Sequence, residues 1–276
     1  ASRPTIRLGA EHGVVPLDSR FCLHPALAPL APLYEKEQFA PVLCVGSPHG
    51  TRSHFDAQDF MERAAPGLRN ITSGWLNRYL STTLSKDSSE FRALAMQELL
   101  PRSLRGDFPA LAVPTSMDRK KGGKTLDQFE KFYGDGVMMG DRPLGGSDND
   151  EEVVQSGRMT IDTLRRFQEI TAASKLNPSS GYPQSKFGKR LQTIATVIKA
   201  QCGLEVAALD YGGWDHHIGQ GGLEGKQNTM LSDYAQALTA FSSDLGKLME
   251  DTLVITMTEF GRTVRENGNT GTDHGR

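Results

Sequence analysis

The most concentrated chemistry in this sequence is the run Trp214-Asp215-His216-His217, which follows two glycines. Asp215 and His217 are two residues apart, so in an extended segment their side chains leave on the same side. A carboxylate oxygen and an imidazole nitrogen on one side can share a divalent metal ion such as zinc. The alternative interpretation is a polar turn whose histidines are solvated. The pattern raises the hypothesis of a metal site and leaves this alternative open.

Three other polar clusters carry compatible chemistry at distant places in the chain. Their residues are the hydroxyl-bearing Thr51 and Ser53 with His54, then Glu259, and finally Asp273 with His274. Carboxylates, imidazoles and a hydroxyl gathered in one place are typical of a metallo-hydrolase, where metal ions lower the pKa of a nucleophile and neutralise an oxyanion ester. For the two hydroxyls, capping of the helix that follows is the alternative interpretation.

Apolar runs precede three of these clusters and predict the strands that would position them. Residues 39–45, 204–209 and 253–257 are short apolar runs of the kind that form buried strands. Between the last two, residues 228–249 carry an apolar stripe at helical spacing, which predicts a long helix packed on one face of the sheet. This order predicts a parallel, helix-covered sheet with the three runs as neighbouring strands. Polar residues after such strands meet at one edge, where open α/β sheets bind ligands.

The rest of the chain is predicted to surround this sheet with helices. Apolar residues at helical spacing predict the helices, and one short apolar run predicts a further strand. The predicted helices lie after residue 54 and over 73–84, 91–100, 161–167 and 187–198, and the further strand lies at 110–113. Residues 115–157 are rich in polar and charged side chains, which predicts an insertion or a rim subdomain.

Composition limits the classes of function. The formal net charge is −2, with 31 basic and 33 acidic residues, so there is no electrostatic case for binding nucleic acid or an anionic membrane. No apolar run approaches the roughly 20 residues of a membrane span. The cysteines Cys22, Cys44 and Cys202 stand far apart, which favours neither a disulfide framework nor a cysteine zinc site. A chain of 276 residues can hold one large α/β domain or two small ones.

Five spaced segments resemble the bacterial proteins grouped as domain of unknown function 1501. The segments are GWDHH, LVITMTEFGRT, NGNTGTDHG, TRSHFDAQDFME and SGWLNRYL. That family is similar to sulfatases and belongs with the alkaline phosphatase superfamily. The resemblance implies one α/β domain, a three-layer α/β/α sandwich with a mostly parallel sheet, and a metal site at the carboxyl ends of its strands. It also implies activity on sulfate or phosphate esters of small molecules or polysaccharides, and a periplasmic or exported setting, because family members often carry a twin-arginine signal.

The resemblance also implies a set of metal ligands. Asp215 and His217 match the aspartate–histidine metal pair of the related enzymes. Glu259 stands where those enzymes place the aspartate of an Asp-His-Gly sequence, and Phe260 replaces the histidine. The segment from Asp273 to Gly275 resembles the final histidine-ligand segment, with His274 as the donor. The expected ion is zinc, with calcium, magnesium or manganese as alternatives.

The loop from Thr51 to His54 resembles the nucleophile loop of the related enzymes, where a threonine or serine precedes a histidine. Either Thr51 or Ser53 would attack the sulfur or phosphorus. Arg52 or Arg262 could stabilise the ester oxygens. The Cys-x-Pro-x-Arg signature of formylglycine sulfatases is absent from the sequence, which argues against that type of enzyme.

The replacement at Phe260 and the missing first aspartate of the family pattern favour a second hypothesis. Related proteins open with a strand that ends in a metal-binding aspartate, in a Gly-Gly-x-Asp-Gly setting, and this sequence contains no such segment. The closing strands of the fold are also expected beyond Arg276, so we expect a single domain over 1–276 that lacks its first and last strands. With Phe260 in place of a ligand, a non-catalytic binding or scaffold protein with a degenerate metal site is the alternative function.

Overall fold

A computed structural model describes residues 2–83, 89–114, 127, 138–139, 142–143, 148–174 and 181–275. The strands are β1 (Val15–Pro16), β2 (Cys22–Leu23), β3 (Ala93–Ala95), β4 (Leu111–Ala112), β5 (Met138–Met139), β6 (Arg142–Pro143) and β7 (Val206–Ala208). The α-helices are α1 (Ala31–Glu35), α2 (His54–Arg63), α3 (Trp75–Thr82), α4 (Asp148–Ser174), α5 (Lys186–Lys199) and α6 (Lys226–Leu245). Short 3-10 helices lie at Ala10–His12, Pro25–Leu30, Arg102–Leu104 and Gly246–Asp251.

The centre of the fold is a three-stranded parallel sheet in the order β4-β3-β7. The predicted strands at 204–209 and 110–113 are confirmed in their central residues by β7 and β4. The helix predicted over 91–100 is wrong, because its first half forms β3, the middle strand of the sheet. Every side chain from Phe91 to Met96 is buried. Burial on both faces is what a central parallel strand requires, and it outweighs the helix-forming tendency of alanine and leucine here.

Apolar side chains cover both faces of β3. Leu94 belongs to a core cluster with Leu191 of α5 and Phe241 of α6. Its neighbours Ala93 and Ala95 point the other way and form a second core cluster with Leu80 of α3 and the buried Leu104 and Phe108. This alternation is the period of a strand, so β3 is buried between helices on two sides.

Two of the three predicted strands are wrong within the described residues. Residues 39–45 form no strand, since Pro41 has no amide hydrogen to donate and Cys44 adopts a left-handed φ of 57°. Residues 253–257 also form no strand, and Leu253 is 82% exposed. A strand needs a hydrogen-bonded neighbour, and the described part of the chain supplies none to either run. The predicted pairing of these two runs with 204–209 is therefore not formed.

The predicted helices other than 91–100 are confirmed. Those expected after residue 54 and over 73–84, 161–167 and 187–198 are observed as α2, α3, part of α4 and α5. The long helix predicted over 228–249 is α6, which packs on α5 and on the 3-10 helix Pro25–Leu30 and continues into the 3-10 turn Gly246–Asp251. The predicted insertion at 115–157 lies largely outside the described residues. Among the described residues, no helix has the length and apolar content needed to cross a bilayer.

Candidate metal centre

Three segments far apart in the sequence meet beyond the carboxyl end of β7. They are the first residue of α2, the loop after β7, and the loop that contains residues 259–274. Backbone hydrogen bonds join the last two loops, including Thr272 N to His216 O at 3.1 Å and Gly219 N to Asn269 O at 2.9 Å. Their close approach requires Gly271, because a Cβ atom there would lie 2.3 Å from the carbonyl oxygen of His217. The loops thus converge as predicted, although two of their expected strands are not formed.

The carboxylate of Asp215 stands at the centre of this junction. Three imidazole nitrogens surround it, each of them an Nε2 atom. The distances are 2.9 Å from His217 and 3.1 Å from His274 to Oδ1, and 3.2 Å from His54 to Oδ2. Candidate ligand atoms of His54, Asp215 and His274 all lie within 4.8 Å of one another, so this cluster could hold a metal ion.

The opposite nitrogen of each ring, Nδ1, faces an oxygen that can accept a hydrogen bond. These contacts are His54 to Glu259 Oε1 at 2.6 Å, His217 to Asp273 Oδ1 at 2.9 Å, and His274 to the backbone oxygen of Arg52 at 2.7 Å. A carbonyl or carboxylate oxygen only accepts, so each Nδ1 carries the proton. In a neutral ring, each Nε2 then presents a lone pair to the carboxylate of Asp215.

Lone pairs aimed at a carboxylate repel it unless a proton or a metal ion lies between them. Nε2 of His54 is shielded from solvent and makes no hydrogen bond within the described residues. Such an orphaned nitrogen beside a carboxylate is the kind of donor that a divalent ion uses. The residues present therefore fit a metal ion.

Neighbouring side chains keep the carboxylate of Asp215 ionised. Burial alone would raise its pKa, but the hydrogen bond from the Arg262 guanidinium is the largest opposing effect, and the pKa is lowered to about 2. Nη1 of Arg262 donates to Oδ1 of Asp215 at 2.5 Å. The same guanidinium also donates to the carbonyl and hydroxyl oxygens of Thr272. Asp215 is consequently ionised throughout the physiological range, as a metal ligand must be.

The buried Thr272 is a residue that the sequence analysis missed. Its side chain is fully buried, and its hydroxyl donates to Oε1 of Gln220 at 2.7 Å while accepting from Nε of Arg262. Thr272 therefore ties the loop after β7 to the last loop and fixes Arg262 beside Asp215. Its position one residue before Asp273 was the available signal, but nothing in the residue type indicated burial.

The predicted nucleophile loop reaches the centre through its backbone and through His54. Ser53 is the N-cap residue of α2, yet its hydroxyl makes no capping hydrogen bond. The capping alternative is therefore not observed for Ser53. The hydroxyl oxygen of Thr51 accepts from the backbone N of Ser53 at 3.2 Å. Arg52 contributes its carbonyl oxygen to His274, and its side chain is exposed.

The structure brings all the predicted site segments together. Some of their side chains face one another at the centre, and others contact the outer nitrogens of the histidines. Asp215, His217 and His274 lie at the centre. His54, predicted as part of the catalytic loop, joins them there. Glu259 and Asp273 touch the outer nitrogens of two histidines.

Phe260 forms an apolar wall of this centre. Its ring lies 4.7 Å from the ring of His54 and 4.8 Å from that of His274, centroid to centroid. The residue that replaces an expected histidine ligand thus packs against two candidate ligands and limits the positions their rings can take.

Comparison with known proteins gives one match. A family model described as "Protein of unknown function (DUF1501)" matches residues 44–276, which include every residue of the centre. No curated protein and no solved structure matches the chain significantly. Because the match covers well over half of the sequence, the chain belongs to the DUF1501 family.

Proposed function

We propose that this protein is a metal-dependent hydrolase of sulfate or phosphate esters. The observation that carries the proposal is the convergence of three Nε2 atoms on the carboxylate of Asp215, with each Nδ1 already bonded to an oxygen. His54, His217, His274 and Asp215 would hold the ion. Three imidazoles and one carboxylate suit zinc, because calcium and magnesium prefer oxygen ligands throughout.

The side chains around this centre supply the remaining parts of an ester hydrolase. When bound, the ion would neutralise charge on the ester oxygens and lower the pKa of an attacking hydroxyl. The hydroxyl of Thr51 or Ser53 would attack sulfur or phosphorus. The exposed guanidinium of Arg52 is available to bind the ester oxygens, whereas Arg262 is already engaged with Asp215 and Thr272.

A three-layer α/β/α sandwich of the alkaline phosphatase type is the proposed fold. Its support is the alternation along β3, where Leu94 packs with α5 and α6 while Ala93 and Ala95 pack on the side of α3. A periplasmic or exported setting remains a prediction from the family resemblance.

Metal analysis combined with an ester assay tests the proposal. We expect the purified protein to contain one or more equivalents of a divalent metal and to hydrolyse 4-nitrophenyl sulfate or 4-nitrophenyl phosphate. Chelation should stop turnover, and adding zinc back should restore it. Mock-dialysed protein is the control for loss of activity on handling. A metal-free, inactive protein that takes up no added zinc would contradict the proposal.

One contact favours the alternative, a scaffold protein with a degenerate site. Nη1 of Arg262 lies 2.5 Å from Oδ1 of Asp215, so a cation already compensates the central carboxylate. In a scaffold, this ion pair would hold the loops together without metal. The same metal analysis separates the two functions, since the scaffold predicts neither stoichiometric metal nor turnover.

Substitution of Glu259 tests whether it orients a ligand or is one. In the structure Glu259 bonds to Nδ1 of His54, so Glu259→Ala should weaken zinc binding by roughly 10–100-fold, the usual effect of removing an outer hydrogen-bond partner. The cobalt-substituted variant should keep the visible absorption of the four-coordinate wild type. Glu250→Ala, at an exposed carboxylate outside the centre, is the matched control. Loss of the four-coordinate spectrum in the Glu259 variant would instead identify Glu259 as a ligand.

A further inference from the structure

A cavity of about 440 Å³ is lined in part by Tyr211 and Gly212, which shortly precede Asp215 in the sequence. It lies between the first turns of α5 and α6, beside the segment that follows β7. The rings of Phe187 and Tyr211, which both line it, are stacked at 4.3 Å with an angle of 12° between their planes. Met230 adds a further apolar side chain to the lining. Phe187 is buried within this stack, and the half-buried ring of Tyr211 is left to contact an apolar ring face of a ligand.

Charged groups of both signs lie around these aromatic side chains. Lys186 and Arg190 are the cations of the lining, and Asp210 and Asp233 are the carboxylates. The hydroxyl of Tyr211 donates to Oδ2 of Asp233 at 2.9 Å, which fixes both groups in place. Carboxylates accept hydrogen bonds from hydroxyl groups, and cations bind sulfate or phosphate oxygens. A ring with an apolar face, several hydroxyls and an anionic substituent satisfies all of these groups.

A short segment, stabilised by a hydrogen bond, connects the cavity to the metal centre. Tyr211 is four residues before Asp215, so their Cα atoms are at most about 14 Å apart, at roughly 3.3–3.6 Å per extended residue. The indole Nε1 of Trp214 donates to the carbonyl oxygen of Tyr211 at 2.7 Å, which braces the segment between the two sites. The cavity and the metal centre are therefore built in part on one short stretch of the chain.

We propose that this cavity binds a sugar residue of a sulfated or phosphorylated carbohydrate, with the ring against Tyr211 and an anionic substituent near Lys186. The proposal names the substrate class of the ester hydrolase. It rests on the hydrolase function only in that another ester of the same carbohydrate would react at the metal centre. Binding in the cavity itself uses no residue of the metal centre.

Tryptophan fluorescence can test the proposal, because the indole ring of Trp214 lies 5.3 Å from the ring of Tyr211. The probes are monosulfated lactose, unsulfated lactose and adenosine monophosphate, titrated into the full chain in the presence of a chelator. We expect the sulfated sugar to bind at least tenfold more tightly than lactose, and adenosine monophosphate to bind more weakly than either. Tighter binding of the nucleotide than of the sulfated sugar would overturn the proposal.

Two substitutions locate the binding. Lys186→Gln should weaken binding of the sulfated sugar about tenfold, which corresponds to about 1.4 kcal/mol, and leave lactose unaffected. Lys189→Gln, an exposed lysine on the same helix but outside the lining, is the matched control. Tyr211→Ala should abolish binding of both sugars, while Tyr211→Phe, which keeps the ring, should retain it. Unchanged binding in both Lys186→Gln and Tyr211→Ala would overturn the proposal.

Failure of sugar binding can be distinguished from failure of the hydrolase proposal. Sugar binding without metal uptake or turnover would support the cavity as a carbohydrate site and reject the hydrolase function. Metal-dependent turnover without sugar binding would support the hydrolase and reject the cavity.

Discussion

Replacing Asp215 with alanine is expected to abolish metal binding and any ester hydrolysis while leaving the fold intact. Asp215 is the only proposed ligand that faces all three Nε2 atoms, and its negative charge offsets part of the charge of the ion. The loss should exceed the roughly 10–100-fold weakening that follows removal of an outer partner. Metal content by mass spectrometry and zinc affinity by competition with a chelator measure the effect.

The fold should survive because Asp215 contributes little packing. It lies beyond β7 with its side chain 40% exposed, and Arg262 keeps its contacts with Thr272 in the variant. Thermal unfolding in the presence of chelator should therefore remain cooperative, with a midpoint lowered only by the loss of the Arg262 ion pair. Asp251→Ala, at an exposed carboxylate outside the centre, serves as the control. Equal metal content in wild type and the Asp215 variant would remove the central claim.

Removing the attacking hydroxyl should stop turnover without removing the metal. Thr51→Ala and Ser53→Ala both leave the proposed ligands in place, so metal content should stay at the wild-type level in each. Only the variant that lacks the true nucleophile should lose turnover, by a factor on the order of the 10⁶ seen when a catalytic nucleophile is deleted. Initial rates with 4-nitrophenyl esters, measured at equal metal content, give the comparison.

The structure gives each hydroxyl a different environment. The oxygen of Thr51 accepts from the backbone N of Ser53, whereas the hydroxyl of Ser53 is not used to cap α2. Ser73→Ala, a hydroxyl in the loop before α3 and outside the centre, is the control. Turnover that persists in both variants would identify water as the attacking group and reject covalent catalysis by this loop.

The segments that carry the candidate site could be found in the sequence, but the roles of their residues could not. Asp215 and His217 follow an apolar run and two glycines, His274 precedes Gly275, and the structure places the three side chains together. Glu259 and His54 were assigned by type and neighbourhood alone. Whether a carboxylate touches the ion or the outer nitrogen of a histidine depends on distances of a few ångströms between distant loops. No local pattern encodes those distances.

The strands of the sheet could also be predicted only in part. The run at 204–209 predicted β7, because short apolar runs bounded by glycines favour strands. The strand β3 was missed because its Ala-Leu-Ala sequence is also a good helix, and only burial on both faces decides between the two. The runs 39–45 and 253–257 look like strands for the same reason that 204–209 does. Sequence periodicity reports what a segment could form and not whether a neighbour is present to pair with it.

The two unpaired apolar runs have a consequence for how this chain behaves in concentrated solution. Residues 42–45 and 253–257 carry no charged side chain, and Val42, Val45 and Leu253 are 76%, 74% and 82% exposed. Within the described residues, β7 also has a hydrogen-bonded neighbour on one side only. Uncharged β-branched segments and an open strand edge are templates for pairing between copies. These runs are therefore where we expect copies of the chain to associate, since they lack the charged residues that normally keep copies apart.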